Sequence, residues 1–274
     1  MGFFRLLRDA TGRLFDDGGF SLAAAMAFST ILALFPFFVF VGALAGFLGG
    51  PELAKVAVQT AAAYLPREVA SAIEAQIISV LTTERVDLLT IGGLTTLFFA
   101  SNGIESLRWA LNLAYDVEER RSVIWQRFQS IILVILSAFI VLFLALSVVN
   151  LPELTKVLGP KVANFMTQAV LSQKLQFAIA LMLACILLYG LHAWLPAGIR
   201  KLREIWPGIV LTVVLSVICI VGFSYYLVYS DYGAIYAGMA QAVIVLMFFY
   251  FISSIIIFGA EFNRAIQAHA NGDG

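Results

Sequence analysis

A chain of 274 residues that is 61% hydrophobic and only 12% charged stands far from the roughly 45–50% and 25% of a soluble domain, and has too little polar surface to face water all round. The 17 Lys+Arg cancel the 17 Asp+Glu, which leaves no basic excess to grip a nucleic-acid backbone and no acidic tail. The composition is that of a membrane protein, and nucleic acid is excluded as a partner. Cys185 and Cys219 both lie in long apolar runs, where free thiols behave as small hydrophobes and no disulfide framework can be read.

Residues 1–17 form the first predicted element. At 100° per residue Phe3, Phe4, Leu6, Leu7, Ala10, Leu14 and Phe15 fall on one half and Arg5, Arg8, Asp9 and Arg13 on the other, the pattern of an amphipathic helix lying in a membrane interface. Six stretches without Asp, Glu, Lys or Arg follow: Gly18 to Pro51, Leu88 to Ile104, Phe128 to Pro152, Leu175 to Ile199, Ile205 to Ser230 and Tyr232 to Ala260. An apolar helix needs about 20 residues to cross the hydrocarbon layer. The expected fold is therefore all-α, a polytopic bundle of six transmembrane helices with spans near 22–49, 88–113, 126–150, 175–196, 205–229 and 235–261. The first run is too long for the apolar core of a cleavable signal, about 7–15 residues, and reads as a retained anchor. Segments 52–87 and 150–174, interrupted by Pro66, Pro152 and Pro160, read as amphipathic helices capping the bundle on the outer side. The membrane domain is expected to cover 18–264 and a polar tail 265–274.

Six crossings put both ends on one side. Arg5, Arg8, Arg13, Arg108, Arg120, Arg121, Arg127, Arg200, Arg203 and Arg264 fall there, and only Arg67 and Arg85 opposite, so both termini are expected on the cytoplasmic side. The lysines lean mildly the other way, with Lys55, Lys156, Lys161 and Lys174 outside, but these share their loops with Glu52, Glu68, Glu74, Glu84, Asp87 and Glu153.

Within the spans, Gly42 and Gly46 form a GxxxG pair and Ala23 with Ala27 a second small-residue pair, which let backbones approach within one subunit or between two. Pro36 lies mid-span and is the candidate hinge. Ionisable groups at lipid depth are costly and are functional candidates by default. Gly103-Ile-Glu105-Ser-Leu-Arg108 and Gly259-Ala-Glu261-Phe-Asn-Arg264 share a Gly-x-Glu-x-x-Arg pattern that puts each glutamate beside an arginine one helical turn on. Cross-pairing of Glu105 with Arg264 and Glu261 with Arg108 is geometrically open, and no internal repeat relates the two helices. The candidate substrate-binding or gating residues are Glu105, Arg108, Glu261, Arg264, Asn102 and Asn263; a latch of interfacial ion pairs is the structural counterpart. His192 reads as an interfacial packing residue, and Tyr225, Tyr226, Tyr229, Tyr232 and Tyr236 as an aromatic belt. No nucleophile elbow, P-loop, zinc-binding HExxH or Cys/His ligand spacing is present in the sequence, so neither catalysis nor a metal or cofactor is expected.

The stretch Leu22-Ala-Ala-Ala-Met-Ala-Phe-Ser-Thr-Ile-Leu-Ala-Leu-Phe-Pro36, Ser101-Asn-Gly, Ala110-Leu-Asn112-Leu-Ala-Tyr115, Glu119-Arg-Arg121, Trp206-Pro-Gly208, Tyr236 and Gly259-Ala-Glu-Phe-Asn263 resemble, in this order, the YihY/BrkB family of inner-membrane proteins. The resemblance implies six transmembrane helices with both ends inside. One departure follows Tyr189, where relatives carry an arginine and a proline four residues on; here Gly190 follows and the proline is Pro196, so no role of that arginine carries over. The family has been mislabelled ribonuclease BN, and its members are linked to serum resistance and to export of envelope lipids. The implied function is a non-ATP-driven transporter or flippase of a lipid or amphiphile with membrane lipids as partners. Glu105, Arg108, Glu261 and Arg264 would gate a charged head group and Asn102 and Asn263 would orient it. The alternative is a non-transporting scaffold that organises envelope proteins, alone or as a homo-oligomer.

Overall fold

A computed structural model describes residues 3–62, 91–148, 173–198, 200–229 and 240–271. Among these the chain is helical and contains no strand: α1 (Phe3–Asp16), α2 (Gly19–Ala62), α3 (Ile91–Ala114), α4 (Val123–Val148), α5 (Gln173–Ala193), α6 (Leu202–Tyr229) and α7 (Ala240–Asn271). Four of these contain a stretch long and apolar enough to cross a membrane, Gly19–Ala45, Val123–Phe143, Leu202–Leu227 and Ala242–Ala270, and Ala178–Ala193 is a shorter apolar helix. Helix α3 is the least apolar of the long helices because Ser101, Asn102, Glu105, Ser106 and Arg108 interrupt it. Of the expected outer segments 52–87 and 150–174, residues 52–62 continue α2 and 173–174 open α5, while 63–87 and 150–172 lie outside the described residues, as do Tyr232 and Tyr236.

The contacts divide the chain into two units. One joins 35–99 and 134–184; in it Val41 and Ala45 of α2 pack on Ala138 and Leu142 of α4, flanked by Phe37, Phe40 and Leu44. Helix α2 continues through Pro36. The other unit collects 1–34, 100–133 and 185–274, and its core is built from Leu22, Ala23 and Met26 of α2, Leu107, Ala110 and Leu111 of α3, Leu133, Leu191, Ile205, Ile209, Ile257 and Ala260. The small residues expected to let helices approach are used this way: Ala23 and Ala27 are fully buried, and a Cβ on Gly103 of α3 would stand 3.1 Å from that of Ala33 in α2.

Helix α1 does not present its whole apolar half to one neighbour. Ala10 packs against Phe262 and Ala265 of α7, with Leu6 and Leu7 beside it, while Phe4 and Phe15 stay exposed. Gly18, at φ +66°, makes the turn into α2, a conformation that costs a side chain but not glycine. Residues 265–271, read from the sequence as the start of a polar tail, continue α7 as helix; buried Ala265 and the His269–Asp9 pair at 3.2 Å hold this stretch to α1.

Helices α6 and α7 approach closely at two glycines. A Cβ added to Gly208 would run into the carbonyl oxygen of Gly259, and one added to Gly259 would run into the Thr212 hydroxyl. Gly222, further along α6, has open space around it. Gly208→Ala and Gly259→Ala are each expected to lower stability by about 1–3 kcal/mol through overpacking. Gly222→Ala should leave it unchanged or raise it by up to about 1 kcal/mol. Thermal unfolding of the three variants in detergent, ranked against the wild type, checks this order.

Candidate functional site: a buried polar network at the helix ends

The turns after α3 and α5 bring a set of polar groups together with the start of α6 and the last third of α7. Helix α3 ends at Ala114, and its closing bonds run from Tyr115 N to Leu111 O and from Val117 N to Asn112 O. Asp116 takes φ +53° there, the left-handed conformation that usually falls to glycine or asparagine at a helix end. This turn lets Tyr115 point inward and Asp116 outward: the first is buried and the second exposed.

Tyr115 lies in a hydrogen-bonded chain that crosses four helices. Asn263 of α7 accepts from Gly208 N through Oδ1 at 2.7 Å and donates through Nδ2 to Ile205 O and to the Tyr115 hydroxyl, both at 3.1 Å. The Tyr115 hydroxyl lies 2.8 Å from His192 Nδ1 of α5. With Asn263 donating to its oxygen, the tyrosine is left to donate to Nδ1, which puts the imidazole proton on Nε2, an atom buried without a hydrogen-bond partner. Arg200 covers the Tyr115 ring with its guanidinium carbon 4.0 Å from the ring centre. Burial pushes the tyrosine hydroxyl up to about 12, so it stays a neutral donor.

A second group fixes the turn between α5 and α6. Asn112 Oδ1 accepts from Ala197 N at 2.7 Å and its Nδ2 donates to Glu119 at 3.1 Å. Arg121 closes on Glu119 at 2.5 Å and donates to Leu195 O and to Gln129, whose own amide donates to Trp194 O. The hydrogen bonds from the Arg121 side chain hold the Glu119 carboxyl at about 2, with smaller help from the Arg121 backbone and Asn112.

The sequence-derived candidates occupy two separate places in this unit. On α3, Arg108 is 2% exposed and donates to Gln126 O at 2.6 Å and to Ser130 at 2.9 Å. Glu105 sits 3.4 Å from it, a quarter exposed, and accepts from the Ser130 hydroxyl at 2.7 Å. Asn102 accepts from Arg127 at 2.8 Å. Arg108 keeps its Nε and Nη1 without a hydrogen-bond partner. On α7, Arg264 binds Asp17 and Asp116, each at 2.9 Å, and Glu261 lies 3.9 Å from it. The arginines thus close within their own helices and onto the turns; neither Glu105 with Arg264 nor Glu261 with Arg108 forms a pair among the described residues. Asn263, expected to orient a head group, has both amide hydrogens and its oxygen engaged inside the protein.

Sequence reasoning missed Asp17, Asp116, Ser130 and Tyr115 as functional partners. Tyr115, Glu119, Arg121, Gly208 and Asn263 were visible as recurring motif residues, but their mutual contacts span as many as 148 positions and leave no local pattern. His192, read as an interfacial packing residue, is fully buried and hydrogen-bonded to Tyr115. Among the described residues no three His, Cys, Asp or Glu side chains are grouped to hold a metal ion.

Two outcomes follow from these bonds. Tyr115→Phe strands His192 Nδ1 and one Asn263 hydrogen in a buried site, and should cost about 1–3 kcal/mol, read as a lower unfolding temperature in detergent. For Glu119 the folded value of about 2 lies below the ordinary 4.5. Its contribution is therefore complete above pH 4.5 and is lost as pH falls toward 2. The stability gap between wild type and Glu119→Gln should be full at neutral pH and close across that interval; a gap constant with pH would show the carboxylate to be uninvolved.

The profile of the family described as Virulence factor BrkB matches residues 10–274. The Putative ribonuclease-like protein YfkH of Bacillus subtilis (strain 168) is 29% identical over 266 residues, spanning 95% of this chain and 94% of that protein. No solved structure matches. With a family match over nearly its whole length and, among the described residues, four helices long and apolar enough to cross a bilayer, the chain belongs to the BrkB family of membrane proteins.

Proposed function

We propose that this protein is a non-ATP-driven transporter or flippase for a lipid or amphiphile of the bacterial cell envelope. It would lie in the inner membrane with six crossings and both termini in the cytoplasm. The arginine bias of the sequence supports that orientation. So does the gathering of α1, the turns after α3 and α5, and the end of α7 in one unit.

The observation that carries the reading is the state of Arg108. A guanidinium buried to 2% exposure in an apolar helix is expensive. This one keeps two nitrogens without hydrogen-bond partners while its counter-ion Glu105 is a quarter exposed. Such a cation, backed by Ser130 and by a glutamate that can swing away, suits an anionic head group arriving from the cytoplasmic end. Glu261 and Arg264 would gate the same end through Asp17 and Asp116, and Asn102 would orient Arg127 rather than the ligand. Pro36, inside α2, would absorb the bending.

The scaffold reading draws on a different observation. Asn102, Asn112, Gln129 and Asn263 all bond within the protein, as a solid bundle requires.

The two separate in vesicles reconstituted with the full chain and a head-group-labelled phospholipid whose outer-leaflet copies are chemically quenched. A transporter moves label between leaflets, and Arg108→Gln and Glu105→Gln should each slow the movement at least tenfold without lowering the unfolding temperature below that of working variants. Movement no faster than in protein-free vesicles would sink the transport reading. Lipids retained by the gently purified protein, compared with the bulk membrane, then name the head group.

A further inference from the structure

Arg264 is shared by three carboxylates. Its Nη1 donates to Asp17 and its Nη2 to Asp116, both at 2.9 Å, and Glu261 Oε2 is left 3.9 Å from Nη1 with no hydrogen-bond partner. The Glu261 side chain is 1% exposed. The titratable groups that face it are Asp17 after α1, Asp116 and the neutral Tyr115 after α3, Arg264 on its own helix and Arg13 at the end of α1. From α6 this part of α7 meets the uncharged Thr212. Two arginines balance two aspartates, so an ionised Glu261 is one negative charge too many in a place closed to water. A buried charge without a partner is far costlier than a buried neutral acid. The unpartnered oxygen, aimed into this cluster, marks where the missing positive charge belongs.

We propose that Glu261 is a proton-carrying site, neutral while Arg264 bridges Asp17 and Asp116. Loss of the proton breaks the carboxyl O–H bond and passes the proton to water by way of exposed Asp116. The carboxylate so formed draws Arg264 off one or both aspartates. That releases the turn after α1 and the turn after α3 from α7. The site names a coupling ion for the transport function, and its role in coupling rests on that reading, whereas the proton itself does not.

The test is infrared difference spectroscopy of the full chain in phosphatidylethanolamine and phosphatidylglycerol vesicles, stepped in pH. Wild type should show a buried carboxylic-acid carbonyl band at neutral pH that disappears at alkaline pH. Glu261→Gln should remove it and Glu105→Gln should keep it. Asp17→Asn, which takes away a neighbouring negative charge and frees Arg264, should move the loss to lower pH, and this arm stands even where Glu261→Gln fails to fold. Absence of the band in wild type, its survival in Glu261→Gln, or an unmoved transition in Asp17→Asn would each overturn the proposal. So would discharge of the band by sodium chloride at fixed pH, which would make the site one for a metal cation. A band assigned to Glu261 in vesicles that move no lipid leaves the proton site standing and removes only its link to transport.

Discussion

The amide of Asn263 is the constraint on which the unit of residues 1–34, 100–133 and 185–274 depends. Pro207 takes one N–H out of the first turns of α6, and Gly208 next to it has no side chain to keep α7 at a distance. Together they bring two helix backbones close enough for a side-chain amide to reach the α6 backbone from α7. In an apolar interior every such group must find a partner inside the protein. Asn263 meets this demand for Gly208, Ile205 and Tyr115, and Tyr115 passes it on to His192. Helices α5, α6 and α7 and the end of α3 are therefore held in register by one chain of neutral hydrogen bonds. Their strength does not vary with salt, and a charged residue at the centre would have required a counter-ion.

Around that neutral centre the charges are arranged as ties between chain turns. Arg121 with Glu119 and Asn112 fastens the turn before α6, and Arg264 fastens the turns after α1 and α3. Each tie is partly open to water, which lowers its contribution and also makes it reversible. The division is functional in character: neutral bonds in the interior fix the helices, and ionic bonds at the rim can exchange partners without unpacking the core. Asp116 shows how far the chain goes to place a rim partner, since a non-glycine residue adopts a left-handed turn there and so points its carboxylate at Arg264.

Helix positions were legible because they follow from the cost of putting a charge in hydrocarbon, a cost that acts on each residue separately. The charge-free runs overlap α2 and α4 to α7, although α2 runs on through Glu52 and Lys55 and α7 through Glu261 and Arg264, and the polar residues of α3 account for its weaker apolar character. The amphipathic pattern of α1 was equally plain, but not that Ala10 would seat on α7 while Phe4 remained outside. Partner choice was not legible, because it depends on which turns meet. Arg264 and Asp17 are 247 positions apart, and only the folded chain reveals that Asp17 competes with Glu261. Asn263 illustrates the same limit: a polar residue in a span looks alike whether it awaits a ligand or holds two helices together.

Glu105 and Glu261 make the point most sharply, since both sit in Gly-x-Glu-x-x-Arg on helices of similar composition. Glu105 has a hydroxyl donor at 2.7 Å and an arginine at 3.4 Å, and is open to water. A carboxylate so placed serves as the counter-ion of Arg108. Glu261 has the same arginine spacing in sequence, but Arg264 is turned toward two aspartates and the carboxyl is sealed among buried residues. The difference comes from the neighbouring turns: α3 has Ser130 of α4 beside it, whereas α7 has Asp17 and Asp116. One motif therefore gives a standing ion pair in the first setting and an acid short of a partner in the second, so the pattern itself cannot be assigned a single role.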